Sequence, residues 1–350
     1  MSIVEINNLV KKYGDNVAVN DLSLNIDSKG VYGFLGPNGA GKSTTMNVLT
    51  GYIGATSGTV KINGYDIFKE PEEAKKNVGY LPEIPPLYQD MTVYEYLEFV
   101  SKIKKIKKEE RKACIEQSLE MTRTTEVRER LIRNLSKGYK QRVGIAQAIM
   151  GMPDLIILDE PTVGLDPKQI IEIRDLIRNL GKEHTVILSS HILTEISEVC
   201  ENIFIISQGK LVASGREEEL IEELAGENRI EAIIKGDANE IENILDKFGC
   251  KHSIETLDDE KCKAQIVTSR DIDIREGLFF ALAEKKMTLL ELKFKTKSLE
   301  DLFIELTTEY KAQPKKKGLK FKKKNSEKLD DKNLADNLKN EEKEVQEVEK

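Results

Sequence analysis

Val31-Tyr32-Gly33-Phe34-Leu35, followed at once by Gly36-Pro37-Asn38-Gly39-Ala40-Gly41-Lys42-Ser43-Thr44, decides the fold. An apolar strand, a loop of the form G-x-x-x-x-G-K-[ST] and the helical stretch Ser43–Leu49 make, in that order, a phosphate-binding loop. Each residue type has a physical task. The glycines let backbone N–H groups curl around phosphate oxygens, and the helix N-terminus adds partial positive charge. Lys42 has the length to reach β- and γ-phosphates, and the Ser43 hydroxyl is placed to ligate Mg²⁺. The bland alternative is a glycine-rich turn without ligand, which needs neither the strand before nor the helix after. The residues predict a nucleotide site.

Further along, Leu155-Ile156-Ile157-Leu158-Asp159-Glu160 reads as a buried strand ending in two carboxylates. Ligands of open α/β sheets gather at strand C-terminal ends. Asp159 is therefore expected to hold Mg²⁺, directly or through water, and Glu160 to orient or deprotonate an attacking water. A helix-capping or surface acid pair is the alternative. The next strand, Thr185–Ser189, leads to Ser190-His191, where an imidazole could donate to a γ-phosphate or serve a structural role. His184 and His252 read as structural. Cys250, His252 and Cys262 lack a metal-binding spacing.

Around these motifs the first 222 residues alternate β-like runs with helical patterns. Ser2–Ile6 and Leu22–Ile26 give a β-rich start, and Asn63-Gly64 between Thr59–Ile62 and Tyr65–Ile67 predicts a type I′ hairpin. Lys168–Leu180 has helical apolar spacing between the two buried strands, which makes a βαβ unit. From residue 223 to 310 the order βαββαβ, closed by a helix over Leu299–Tyr310, predicts a small ferredoxin-like α+β domain.

The last forty residues are low in apolar content and predict a disordered, charged tail over 311–350. Lys311–Lys324 holds eight lysines and no acid. Such a run reads as a solvated tail or as a contact with an anionic membrane surface or RNA. The whole chain carries a formal charge of −7, with 54 basic and 61 acidic residues. The tail's 13 lysines outweigh its nine acids, so the body is more acidic still, which argues against a nucleic-acid partner. No apolar run approaches the roughly 18–20 residues that span a bilayer, and MSIVEINNLV shows no secretory pattern. Four scattered cysteines make no disulfide framework. A cytoplasmic chain is expected.

With these residues in order, a family resemblance emerges. Leu135-Ser136-Lys137-Gly138-Tyr139-Lys140-Gln141-Arg142 resembles the signature motif of ABC transporter ATP-binding subunits. Asp159-Glu160-Pro161-Thr162-Val163-Gly164-Leu165-Asp166 resembles their Walker B motif and D-loop, Ser190-His191 their switch histidine, and Tyr13 their adenine-stacking aromatic. Two positions depart from the pattern. Lys137 and Tyr139 stand where the signature L-S-G-G-Q has Gly and Gln, and Glu83 replaces the glutamine that senses Mg²⁺ and the membrane partner. Together with Gly79-Tyr80-Leu81-Pro82-Glu83, they resemble the type-2 exporter branch of gliding-motility and drug- or lipid-exporting ATPases. Ser298-Leu299-Glu300-Asp301-Leu302-Phe303 is similar to the end of that branch's accessory domain.

The resemblance implies a P-loop ABC-type ATPase core with an N-terminal antiparallel β-subdomain and a helical subdomain. It implies two chains head to tail, with ATP between the phosphate loop of one and Ser136 and Gly138 of the other. It implies a separate transmembrane permease, docked along Pro82–Val100, with the chain peripheral on the cytoplasmic face of the membrane. Importer and exporter both remain open on the residues. Among rivals, a GTPase lacks its Asn/Thr-Lys-x-Asp motif here. ABC-class translation or DNA-repair proteins usually carry tandem cassettes or a long coiled coil, and this chain has one phosphate loop. An interaction protein using ATP only to hold its shape is the remaining alternative.

Overall fold

Val4–Tyr13 (β1) and Asn16–Ile26 (β2) form the first hairpin of the structure, a computed structural model that describes residues 2–224, 227–258, 260–269, 272–295 and 298–312. Strand β1 runs well past the predicted Ile6. It does so through register shifts after Ile6, where Asn8 takes a φ of 49°, a conformation asparagine tolerates. Gly30–Leu35 (β3) is buried along its whole length and enters Lys42–Leu49 (α1) through the glycine-rich loop. Ser57–Ile62 (β4) and Tyr65–Asp66 (β5) form the predicted hairpin, with Asn63 and Gly64 at φ 49° and 84° as a type I′ turn requires. The antiparallel order is β2-β1-β4-β5.

Pro71–Lys76 (α2) precedes Val78–Leu81 (β6), and three helices follow: Val93–Ile103 (α3), Lys108–Met121 (α4) and Lys137–Ile149 (α5). They share an apolar cluster that includes Tyr96, Leu97, Leu119, Val143 and Ala146. Helix α3 opens with a reciprocal capping box between Thr92 and Glu95, and the Thr92 backbone and hydroxyl bonds hold the Glu95 carboxyl below its usual range.

Leu155–Asp159 (β7), Pro167–Gly181 (α6), Thr185–Ser190 (β8), Leu193–Val199 (α7), Asn202–Ser207 (β9), Lys210–Gly215 (β10) and Glu217–Leu224 (α8) complete the body. The main sheet has the order β10-β9-β3-β8-β7-β6, parallel except for β10 at the edge. Strands β7 and β8 are buried throughout, as their unbroken apolar runs predict. Register pairs Leu35 with Ser190 and Asp159 with Ser189. The C-terminal ends of three strands thereby lie side by side.

A third sheet comes from Glu227–Lys235 (β11), Ala238–Asp246 (α9), Lys251–Asp258 (β12), Lys261–Ser269 (β13), Arg275–Glu284 (α10) and Thr288–Lys295 (β14). Its order β12-β13-β11-β14 is antiparallel throughout and realises the predicted βαββαβ connection. Ile230, Ile234, Ile241, Leu245, Ile266 and Leu278 form its own core. The closing helix, Leu299–Ala312 (α11), turns elsewhere. Leu299 is buried in the core of the main sheet, with Phe303 and Leu306 packed against the same core, and the helix lies beside α8 and β9. These positions recur at helical spacing, so one stripe buries on one surface. The predicted tail lies, from residue 313 on, outside the described residues.

Candidate nucleotide site

Two glycines fix the path of the loop. A Cβ on Gly36 would stand 2.5 Å from the Ile206 carbonyl oxygen, and one on Gly41, at φ 105°, 2.5 Å from that of Ala18. The Ala40 N–H donates to the Pro37 carbonyl at 3.0 Å, and the Ala40 carbonyl accepts from Gly209 N–H at 2.8 Å. Ala40 is thus an internal brace of the turn. Asn38, Gly39 and residues 41–44 line a cavity of about 570 Å³ that Tyr13, Glu83, Glu160 and His191 also line.

Lys42, Glu160 and His191 are paired with one another in this cavity. Lys42, only 6% exposed, donates from Nζ to the Gly36 carbonyl at 2.8 Å and lies 3.5 Å from Glu160 Oε1. His191 Nδ1 lies 3.1 and 3.0 Å from the two Glu160 carboxylate oxygens. A carboxylate only accepts, so Nδ1 carries the proton and Nε2 is left for another partner. A buried charge is strongly unfavourable unless paired and hydrogen-bonded, and here the Glu160 carboxylate answers the Lys42 ammonium while accepting from the His191 N–H. Glu160 also sits at φ 50°, a left-handed conformation costing a non-glycine residue on the order of 1–3 kcal/mol.

Asp159 is buried behind the loop, where its Oδ1 accepts from Ser43 Oγ at 3.3 Å and from Ser189 Oγ. Oxygen donors of this kind suit a hard divalent cation. Among the described residues no group of three or more His, Cys, Asp or Glu forms a dedicated metal cage. Ser43 Oγ and Asp159 Oδ1 are two such oxygens, and Mg²⁺ is usually held by few protein groups plus substrate phosphates. Glu83, past the end of β6, is exposed at the cavity edge. Tyr13 is half-exposed, with Lys11 Nζ 5.1 Å from its ring centroid. Behind Asp159, Tyr80 donates to Asn47 Oδ1 at 3.1 Å, and burial followed by the Asp159 charge pushes its hydroxyl up to about 12.

Ser136 and Gly138 lie elsewhere. They line a separate open cavity of about 560 Å³ with Arg123, Tyr139, Arg142 and Gln169. Ser136 caps α5, its Oγ accepting from Tyr139 N–H at 3.3 Å. A Cβ on Gly138 would meet the Gln169 amide at 2.6 Å. The Lys137 amine rests against Gly164, which has φ 70°. Tyr139 donates to Glu126, which raises its hydroxyl, and Arg142 pairs with Glu172.

The family model described as ABC transporter matches residues 19–163. The linearmycin resistance ATP-binding protein of Bacillus subtilis (strain 168) is 32% identical over 306 residues, covering 87% of this chain and 98% of the relative. This chain belongs to the ABC transporter ATP-binding proteins. The bacitracin transport ATP-binding protein of Bacillus licheniformis is 42% identical over 213 residues, 60% of this chain and 69% of the relative. An ATP-binding cassette solved as a post-hydrolysis dimer with ADP and Pi superposes with a TM-score of 0.55 at 26% identity, covering 61% of this chain and 98% of that one. The chain is thus a transport-coupled ATPase subunit. No helix among the described residues is long and apolar enough to cross a membrane.

Two contributors to this cassette's site escape the motif reading. Asn16, Val17 and Ala18 of β2 line the phosphate cavity, and Ser189 bonds to Asp159. Ser189 left one usable sign, a hydroxyl at the end of an otherwise apolar buried strand.

Proposed function

We propose that this subunit powers export through a separate permease, working as a head-to-tail dimer with ATP shared between its two chains. The separation of the phosphate loop and the signature residues into two cavities of one chain carries this reading, because the resemblance pairs those two sets of residues on one ATP. In it, Tyr13 stacks on adenine, while Gly36, Pro37, Asn38, Gly39, Ala40, Gly41 and Thr44 shape or line the phosphate cradle. Ser136 and Gly138 close the partner's site through the N-terminus of α5. Ser43 and Asp159 hold Mg²⁺, which supplies charge neutralisation on the phosphates. Glu83, a carboxylate in place of a glutamine, faces the same cation with a charge of its own.

Phosphate binding takes Lys42 away from Glu160, and the His191 Nδ1–H turns from Glu160 to donate to the γ-phosphate. Glu160 is then free to orient and deprotonate the attacking water. Water is excluded only when the second chain closes the cavity. Loss of the γ-phosphate after hydrolysis removes the bridge between chains, and the dimer opens.

The permease is proposed to dock along Pro82–Val100. An adjoining cavity of about 550 Å³, lined by Tyr52, Tyr80, Pro82, Pro86, Lys104 and Gln147, supports that placement. The export direction rests on the type-2 resemblance and on the relatives named for bacitracin transport and linearmycin resistance. The same reading takes 1–222 as the ATPase domain and 223–310 as the accessory segment, whose closing helix α11 returns to the main body and runs to Ala312, with a tail beyond it whose lysine block contacts anionic lipid at the cytoplasmic face. Glu160→Gln tests the mechanism: an ATP-trapped dimer on size exclusion is expected, and unchanged ATP turnover would remove Glu160 as the base.

A further inference from the structure

We infer that Ser189 is a positioning residue that locks the metal-side carboxylate Asp159 to the base Glu160; this rests on the roles proposed above for those two acids. Ser189 has no solvent exposure and stands directly opposite Asp159 in the parallel register of β7 and β8. Its Oγ donates to Asp159 Oδ1, the same oxygen that accepts from Ser43 Oγ. It also accepts from the Glu160 N–H at 3.1 Å, and its own carbonyl oxygen accepts from that N–H at 3.2 Å. The direction of each bond is forced. A carboxylate can only accept and a backbone N–H can only donate, so the one hydroxyl proton points to Asp159 and a lone pair to Glu160.

The bond to Glu160 matters because of where that residue sits. Its φ of 50° is one a non-glycine residue holds only when its surroundings over-determine it. Two acceptors on Ser189 hold the Glu160 peptide in that strained turn, and the turn aims the carboxylate at Lys42 and His191. The same hydroxyl fixes the oxygen through which Asp159 meets Ser43. One buried hydroxyl therefore sets the spacing between the two acids. The neighbouring Ser190 does nothing comparable: its Oγ donates to Glu195 Oε2 at 2.8 Å and accepts from Ile192 N–H at 3.0 Å, away from both acids.

The experiment uses the full chain with Ser189→Ala, Ser189→Cys and Ser189→Thr, beside Glu160→Gln. Groups behind metal ligands usually account for about 10–100-fold in affinity or activity. Ser189→Ala and Ser189→Cys are expected to lower kcat by about that factor, with the KM for ATP within about threefold of the parent. Mn²⁺ titrated into the ADP-loaded chain and followed by electron paramagnetic resonance is expected to bind about tenfold more weakly. Ser189→Thr, which keeps the hydroxyl, restores both readouts. Parental kcat and Mn²⁺ affinity in Ser189→Ala overturn the inference. So does equal impairment of Ala and Thr with a matching fall in melting temperature, which marks packing alone. If Glu160→Gln still turns over ATP, the base assignment fails, while the Mn²⁺ titration still judges Ser189 by itself.

Discussion

The two cavities of this cassette are nearly equal in size, about 570 and 560 Å³, and opposite in construction. The phosphate-loop cavity gathers its polar groups on two buried carboxylates: Lys42 and His191 on Glu160, Ser43 and Ser189 on Asp159. The signature cavity has an exposed Ser136 at its helix cap and small backbone clearances at Gly138. On the proposed reading, the first is a preorganised catalytic half that ATP has only to rearrange, and the second is a surface that becomes a site when the other chain's phosphate loop is brought to it. That reading requires self-sufficiency in one cavity and dependence in the other.

Breaking the self-sufficient half gives the largest effect. Lys42→Ala is expected to lower ATP turnover by about 10³-fold or more and to abolish nucleotide binding by the single chain, as read by fluorescence of a labelled ATP. Breaking the dependent half separates binding from turnover. Gly138→Asp, which places a negative charge at the start of α5, is expected to cost about 10²-fold in hydrolysis while single-chain ATP affinity stays within about threefold. Mixing these two variants sharpens the comparison, because each supplies the half the other lacks. The mixture is expected to recover up to about a quarter of parental turnover if one intact site per mixed dimer suffices. No recovery would mean that both halves act within one chain or that a dimer needs both of its sites intact.

A smaller effect tests the edge of the first cavity. Tyr13→Ala is expected to weaken ATP binding by about 5–10-fold, and Tyr13→Phe to leave it nearly intact, by titration calorimetry. The smallest belongs to the third sheet. Arg275 holds the Asp273 carboxyl down to about 2 from its ordinary value near 3.8. A lowered carboxylate stabilises the fold above its unfolded pKa and loses that contribution as pH falls toward the folded value. Asp273→Asn is therefore expected to remove a slight loss of melting temperature between about pH 4 and pH 2, with ATP turnover unchanged.

What was legible in the sequence follows from chemistry that is local. The phosphate loop, the buried strands Leu155–Asp159 and Thr185–Ser190, and the Asn63-Gly64 turn each carry their own rule within a few residues. The βαββαβ order of the third sheet was readable for the same reason. The joining of Lys42 to Glu160 and of Asp159 to Ser189 depends on strand order in the main sheet, which no short stretch encodes. Nor did spacing reveal where α11 would bury Leu299 and Phe303, since an apolar stripe specifies a face and not a partner. The separation of Ser136 and Gly138 from the phosphate loop was foreseen only through family resemblance.

The course of α11 also constrains how the third sheet can move. The chain leaves the main body after α8, builds β11 to β14, and returns in α11 to lie beside α8 and β9. A module hung from one linker can swivel freely, whereas one moored at both ends to the same surface can only rock about the line between its moorings. The third sheet is therefore tied to the main body at two points, α8 and α11, and α11 lies beside β9, the neighbour of the strand that leads into the phosphate loop.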